Sequence, residues 1–386
     1  MPDEGPAHLP DADHAFMRRA LDLARRGWGQ TAPNPMVGAV VVRDGEVVGE
    51  GFHARYGESH AEVVALAAAG ERARGATLYV TLEPCTHHGK TPPCADAVIA
   101  AGVHRVVIAT SDPNPEAAGG AARLRQAGIS VEIGLESDAA CELNAPFFHA
   151  FASKRPWIIL KLATSLDGGI ADASRTRGSA GNWLTGDESR REVHRMRAGV
   201  DAVAVGIGTV LADDPLLTVR EAPAPRVPPR RVIFDSELRT PLGAGVVRGA
   251  RVVPTTIIAR RAAPDRHDAM AQAGVDVRVY ETLEAALLGL AANGIRAMLV
   301  EGGARLAASL LEQGMVDRLV IFQAPLVLGA GALNPFAYLS SSAAAALGHL
   351  RVIERVTLGS DLKTTFALGA ASCSQDSSTT SERSRK

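Results

Sequence analysis

The feature that most constrains this chain is a set of metal-binding side chains spread along its first quarter: His60-Ala61-Glu62, then Pro84-Cys85, then Cys94. Together they supply one imidazole, two thiols and a carboxylate. Zinc in a catalytic site usually takes three protein ligands and keeps one position open for water. Water bound there ionises with a pKa of roughly 7 rather than about 16. Such a hydroxide attacks a ring carbon carrying an exocyclic amine, while a nearby Glu shuttles the protons. The set therefore reads as hydrolytic deamination, with His60, Cys85 and Cys94 as Zn2+ ligands and Glu62 as the catalytic proton shuttle.

Each piece has a plainer reading. Ser59-His60-Ala61-Glu62 also fits a capping box, with Ser59 as N-cap and Glu62 at the third helical position. Cys85 and Cys94 could pack as small hydrophobes. Taken together the pieces reinforce one another. The capping box places His60 in the first turn of a helix that continues through Val63, Val64 and Leu66. Pro92-Pro93 before Cys94 marks a second helix start, and helix N-termini favour thiolates. Eight residues separate the cysteines, Thr86 to Pro93, where the common deaminase signature has two. Glu83 is a second candidate acid and His88 a substitute ligand.

Alternating patterns follow along the first half. Asp13 to Arg26 carries a helical stripe of Phe16, Met17, Ala20, Leu21 and Ala24. Val37–Val42 and Val47-Val48 flank Asp44-Gly45, a hairpin signal. A helix from His60, strand Thr77–Leu82, a helix near Ala95–Ala101, strand Val106–Thr110, helix Ala121–Ala127 and strand Ser130–Ile133 come next. Such alternation gives a sheet with helices on both faces, and ligands at two helix starts near strand ends suit it. After a junction near Glu142–Pro156, strands are expected at Trp157–Leu162, Ala202–Val205, Arg231–Phe234, Thr255–Ala259, Val275–Val279, Met298–Val300 and Arg318–Phe322. Helices lie between several of them, including Leu283–Ala292 and Ala304–Gln313. Ala222–Pro229 is a proline-rich loop. The fold class is α/β, with domains over 13–145 and 153–368. Residues 1–12 and the Ser/Thr-rich 369–386 are expected to be disordered.

The 46% apolar content is enough for full-sized cores. A net charge of −1, no basic block and 4% aromatics disfavour a nucleic-acid partner. No apolar run reaches membrane-spanning length, and the N-terminus lacks the order of a signal peptide. Four cysteines are no disulfide framework: two are proposed ligands, Cys141 packs near the junction and Cys373 sits in the tail. A cytoplasmic chain acting on small molecules is expected, as a homo-oligomer and with no membrane partner.

Longer motifs then stand in order: Thr31-Ala32-Pro33-Asn34-Pro35-Met36-Val37-Gly38, Gly49-Glu50-Gly51-Phe52-His53, the ligand set, Thr81-Leu82-Glu83-Pro84-Cys85-Thr86-His87, Thr91-Pro92-Pro93-Cys94 and Asp112-Pro113-Asn114-Pro115. In the second half come Lys161-Leu162-Ala163-Thr164-Ser165-Leu166-Asp167-Gly168, Gly208-Thr209-Val210-Leu211-Ala212-Asp213-Asp214-Pro215 and Glu301-Gly302-Gly303. From about Phe16 to Phe366 the chain resembles the bifunctional deaminase–reductases of riboflavin biosynthesis. The resemblance implies a cytidine-deaminase-like three-layer domain followed by a dihydrofolate-reductase-like α/β domain. It implies deamination of a diaminopyrimidinone ribosylamine 5′-phosphate, then reduction of the opened ribose with NADPH.

The resemblance also assigns residues. Asn34, His53, His87 and Lys90 would contact the pyrimidine, ribose or phosphate of the first substrate. Ala163, Trp183, Thr209, Asp213 and the loop Gly303, Ala304, Arg305 and Leu306 would hold the cofactor. Arg197, Leu217, Arg220 and Glu301 would hold the second substrate, the arginines suiting a sugar phosphate. Glycines at 302 and 303 before a helix also let a diphosphate approach the backbone. Gly206-Ile207-Gly208 lacks the third glycine of a Rossmann fingerprint. Two positions depart from the family: Gly181 where serine is usual, which removes one expected substrate hydrogen bond, and Gly169 where a bulky or basic residue is common. The rival readings are a tRNA or free-base deaminase with an unrelated second domain, and a non-catalytic zinc-stabilised regulator. The missing basic surface and the long second-half match oppose the first. Glu62 opposes the second, since structural zinc needs no proton shuttle.

Overall fold

The computed structural model describes residues 11–88, 92–172, 174 and 183–368. The expectations for 1–10, Lys90, Gly181, Cys373 and the rest of 369–386 lie outside these residues. The chain separates into two compact units. Among the described residues, one holds 11–27 with Pro33–Ala152, and the other holds Trp28–Ala32 with 153–368.

In the first unit, β1 (Gly38–Arg43) and β2 (Glu46–Phe52) form the hairpin that Asp44-Gly45 predicts. Both turn residues have positive φ, 53° and 80°, the signature of a type I′ turn. With β3 (Thr77–Val80), β4 (Arg105–Ile108) and β5 (Ser130–Ile133) they make a sheet of order β2-β1-β3-β4-β5. The β1 pairings are antiparallel, and β3, β4 and β5 run parallel. Successive strand residues serve opposite apolar layers. Val41, Leu78 and Val106 pack with Ala65 and Val98, whereas Val40, Tyr79 and Val107 pack with Met17 and Leu21. The period of two thus places helix Asp11–Arg25 on one face and helices Ala61–Ala69 and Cys94–Ala101 on the other. Helix Ala61–Ala69 lies so close to β2 that a Cβ on Gly51 would sit 2.4 Å from the Ala61 carbonyl oxygen. Bare glycine there lets the helix bearing Glu62 seat on the sheet.

The capping box expected at Ser59 does not form. The helix begins at Ala61, His60 is its N-cap in extended conformation, and no side chain caps the end. His60 therefore precedes the first turn, and Glu62 is the second helical residue instead of the third.

The second unit contains β6 (Trp157–Thr164), β7 (Ala202–Gly206), β8 (Arg230–Phe234), β9 (Thr255–Ala259), β10 (Asp276–Val279), β11 (Ala297–Glu301), β12 (Arg318–Gln323), β13 (Arg351–Leu358) and β14 (Asp361–Ala367). Their order is β10-β9-β8-β7-β11-β6-β12-β14-β13. All pairings are parallel up to β12, and the last two are antiparallel. The seven parallel strands fall on the runs expected from the sequence: the inner ones are apolar because strands covered on both faces read as Val/Ile/Leu segments, whereas edge strand β10 reads Asp-Val-Arg-Val. The β13–β14 hairpin has no such signal: β13 closes the sheet edge with Arg351, Glu354 and Arg355 exposed. Trp28 belongs to this unit, its indole Nε1 donating to the Arg195 carbonyl at 2.8 Å while its ring lies against Gly199. Among the described residues no helix is long and apolar enough to cross a membrane.

Candidate active sites

In the first unit a cavity of about 300 Å³ opens onto Asn34, His53, His60, Glu62, Cys85 and His87. His60 arrives from the N-cap, Cys94 opens its own helix, and Cys85 lies on the loop after β3. His60 Nδ1 is 3.2 Å from Cys94 Sγ and 3.7 Å from Cys85 Sγ. The three ligand atoms lie within 4.8 Å of one another, and no other such group occurs among the described residues. Tetrahedral zinc with bonds of about 2.0–2.3 Å needs ligand atoms roughly 3.5 Å apart, so the donor set fits the ion in spacing and chemistry. The Cys94 backbone N–H donates to Cys85 Sγ at 3.4 Å. The Cys94 thiol and His60 also stabilise the Cys85 thiolate, and its pKa falls to about 4. His88 is exposed and is not among the converging donors.

Glu62 is buried, and its Oε2 has no hydrogen-bond partner. Burial pushes its pKa up to about 7. An acid held between its two protonation states beside a metal site suits proton shuttling. Glu83 has a different role. Its carboxylate accepts from the backbone N–H groups of Asp112 at 3.2 Å, Gly119 at 3.1 Å and Ala121 at 2.9 Å. It holds a loop and a helix start, so the structure does not support it as a second catalytic acid.

His53 is buried and links several parts of the cavity wall. Its Nδ1–H donates to the Ser59 carbonyl at 3.2 Å, and its Nε2 accepts from Asn34 Nδ2 at 3.5 Å. Burial lowers its pKa, which keeps the ring neutral. Two further wall residues, Asp112 and Asn114, were visible in the sequence as a motif but had no role assigned. Burial first, then the Glu83 charge, pushes the Asp112 carboxyl up to about 6. Lys90 lies outside the described residues.

In the second unit the assigned residues gather at the carboxyl ends of the neighbouring strands β7, β11 and β6, where open parallel sheets bind ligands. Ala163 is the penultimate residue of β6, Thr209 and Asp213 lie on helix Ile207–Asp213 after β7, and Glu301 ends β11. Gly302 and Gly303 have φ of 60° and 90° and lead into helix Ala304–Glu312. A Cβ on Gly302 would meet nothing within 4 Å. The open space beside Gly302 leaves room at this helix start for a diphosphate to approach the backbone. Arg305 stacks over Tyr338 at 4.3 Å, and Leu306 packs beside Gly206. Trp183 is 69% exposed, with the Arg190 guanidinium 5.8 Å from its ring centre.

The substrate-side residues are directly joined. Arg197 forks onto Glu301, with NH2 to Oε2 at 2.8 Å and Nε to Oε1, and its NH1 donates to the Thr218 carbonyl at 2.8 Å. Burial raises the Glu301 pKa, but Arg197 and Lys161 outweigh it and hold the carboxylate charged. Lys161 stands opposite Glu301 in the β6/β11 register, and burial lowers its pKa. Its place in a long motif was the only sequence sign of that role. The Leu217 side chain is in the core, so only its backbone, at φ 52°, can face a ligand. Arg220 is exposed. Gly169 now has a physical reason: a Cβ there would lie 2.9 Å from Ala332 Cβ and 3.0 Å from Leu328 Cδ1. The 326–333 loop packs against it, with Asp167 accepting from Leu328 N at 3.1 Å and Gly329 N at 2.8 Å.

Residues 10–110 match the model of the cytidine and deoxycytidylate deaminase zinc-binding region, and residues 156–363 match that of the RibD C-terminal domain. The riboflavin biosynthesis protein RibD of Aquifex aeolicus is 45% identical over 326 residues, covering 84% of this chain and 90% of that one. The chain belongs to the RibD family. The RibD protein of Escherichia coli K12 is also 45% identical, over 83% of this chain and 89% of its own. Among solved structures, Acinetobacter baumannii RibD has 38% identity and a TM-score of 0.77, covering 92% of this chain and 98% of that one. A Thermotoga maritima diaminohydroxyphosphoribosylaminopyrimidine deaminase/5-amino-6-(5-phosphoribosylamino)uracil reductase has 36% identity, the same TM-score and the same coverage. Like its family, this chain is a zinc-dependent deaminase and an NADPH-dependent reductase of riboflavin biosynthesis in one polypeptide.

Proposed function

We propose that the first unit hydrolyses 2,5-diamino-6-ribosylamino-4(3H)-pyrimidinone 5′-phosphate to the aminouracil and ammonia. The second unit then reduces the ribosyl group to give 5-amino-6-ribitylaminouracil 5′-phosphate. The observation that carries this reading is the buried, half-unpartnered Glu62 carboxyl beside the convergent His60, Cys85 and Cys94. Zinc, when bound, supplies a water that ionises near neutral pH, at a pKa of roughly 7. Glu62 takes a proton from the attacking water and delivers it to the amine as the exocyclic C–N bond breaks and ammonia leaves. Asn34, held by His53, presents its amide to the pyrimidine edge, and His87 lines the same cavity.

In the second unit NADPH supplies hydride to the opened ribose. The Gly302-Gly303 turn and the N–H groups of the following helix hold its diphosphate, with Ala163, Trp183, Thr209, Asp213, Arg305 and Leu306 around it. Arg220 takes the substrate phosphate. Arg197 keeps two of its five N–H donors for ligand, and Glu301 stays charged beside Lys161. A cytoplasmic location fits thiolate ligands that must stay reduced. The edge strand β13, with Val352 exposed, fits assembly as a homo-oligomer, which light scattering would show as a mass above one chain. The test of the activities is incubation of the purified protein with the diaminopyrimidinone phosphate. Without NADPH, mass spectrometry should find the amine replaced by oxygen; with NADPH, the same product should gain a hydrogen pair. Reduction of the undeaminated compound alone would contradict the order proposed.

A further inference from the structure

Arg197 and Glu301 pair directly, Thr218 ties Arg197 to the segment carrying Leu217 and Arg220, and one further side chain fastens that segment. His194 lies on helix Asp187–Ala198, three residues before Arg197 and on the same face. It is buried. The two side chains grip the 217–220 segment at two points: Arg197 NH1 donates to the Thr218 carbonyl at 2.8 Å, and His194 Nδ1 accepts from the Arg220 backbone N–H at 3.3 Å. Immediately before these points Leu217 holds a left-handed backbone, φ 52°, while its side chain is locked in the core. A segment in that conformation persists only when its surroundings over-determine it. Arg220 itself is exposed, and its NH1 donates to Thr218 Oγ1 at 2.9 Å. Its aim is therefore set by the backbone His194 holds.

We propose that His194 is a positioning residue for the reductase: its neutral imidazole fixes the Arg220 backbone so that the guanidinium is pre-aimed at the substrate phosphate. The role requires an acceptor at Nδ1, so Nε2 carries the ring proton. Arg197 on its own helix, Arg220 and Glu221 on the facing loop, and Glu301 on β11 are the charged groups around it. Burial and the two arginines keep the ring in the acceptor form. The proposal rests on the assignment of Arg220 to the phosphate given above.

The test uses the full-length, zinc-loaded enzyme with the deaminated substrate and NADPH. His194→Leu removes the acceptor at similar bulk, and His194→Asn restores an oxygen near the Nδ1 position. Losing one neutral hydrogen bond corresponds to roughly a two- to tenfold change. His194→Leu should raise the substrate KM by that factor, leave the NADPH KM unchanged, and add little in the Arg220→Ala background. His194→Asn should return the KM to near the wild-type value. Two results would overturn the proposal while Arg220→Ala still weakens the substrate: an unchanged KM in His194→Leu, or a rise in both KM values that Asn does not rescue. If Arg220→Ala itself leaves the substrate KM unchanged, the phosphate assignment fails and His194 loses its proposed role with it.

Discussion

Two glutamates flank the metal-binding set, and their surroundings give them opposite roles. Glu62 keeps a buried oxygen without a partner, whereas Glu83 satisfies three backbone donors. Leaving a buried polar atom unpaired costs about 1–3 kcal/mol, a cost that a proton-shuttling group recovers when ligand is bound. The sequence made Glu62 legible through its spacing from His60. It could not do so for Glu83, whose donors come from the 112–121 stretch, far along the chain. Nor could it show that Arg197 is largely committed to Glu301 and Thr218. At this scale Cys85→Ser is the informative substitution, since a hydroxyl keeps the size but not the thiolate. Metal analysis after dialysis should find zinc affinity reduced roughly tenfold or more, given that even outer-sphere changes cost 10–100-fold. Equal zinc in mutant and wild type would remove Cys85 from the ligand set.

Elements place these residues, and small contacts decide how accurately. A Cβ on Gly51 would press on the Ala61 carbonyl at 2.4 Å, and Ala65 N is almost as close. Gly51→Ala should therefore lift the helix carrying Glu62. Overpacking of this kind costs about 1–3 kcal/mol, so both the thermal midpoint and deamination should fall, while NADPH-dependent reduction of supplied aminouracil substrate should be spared. At the far end of the same sheet, buried Asp13 accepts from Arg105 NH2 at 2.7 Å and from Tyr79, which fastens helix Asp11–Arg25 to β3 and β4. Burial opposes ionisation of Asp13, but Arg105 and Tyr79 outweigh it and hold the carboxyl below its ordinary range. A depressed carboxyl stabilises the fold above its unfolded pKa and loses that effect as pH falls through the folded value. Asp13→Asn should thus lower the urea midpoint at pH 7, and the gap to wild type should close as the pH drops below about 4. A gap that stays constant across that range would contradict the ion pair. Most strands and helices were legible because parallel, doubly covered strands are apolar throughout. The β13–β14 hairpin was not, because an exposed edge carries charges where a core strand carries Val or Ile.

The whole molecule carries two chemistries on two sheets, each with its site at helix starts beside strand ends. Composition and motif order revealed the two halves. Tertiary packing added what no linear boundary could: Trp28–Ala32 belong with the second unit, and a fragment over 153–368 would leave the Trp28 site beside Gly199 empty. The central claim is that the two activities share a chain but not a site. It is tested most directly by Glu62→Gln, assayed by mass spectrometry on both substrates. General acid–base catalysis contributes roughly 10²–10⁴-fold. The variant should therefore retain zinc, lose deamination of the diaminopyrimidinone phosphate by at least about that factor, and reduce supplied aminouracil substrate with NADPH at the wild-type rate. Deamination at the wild-type rate, or loss of reduction together with deamination, would contradict the account.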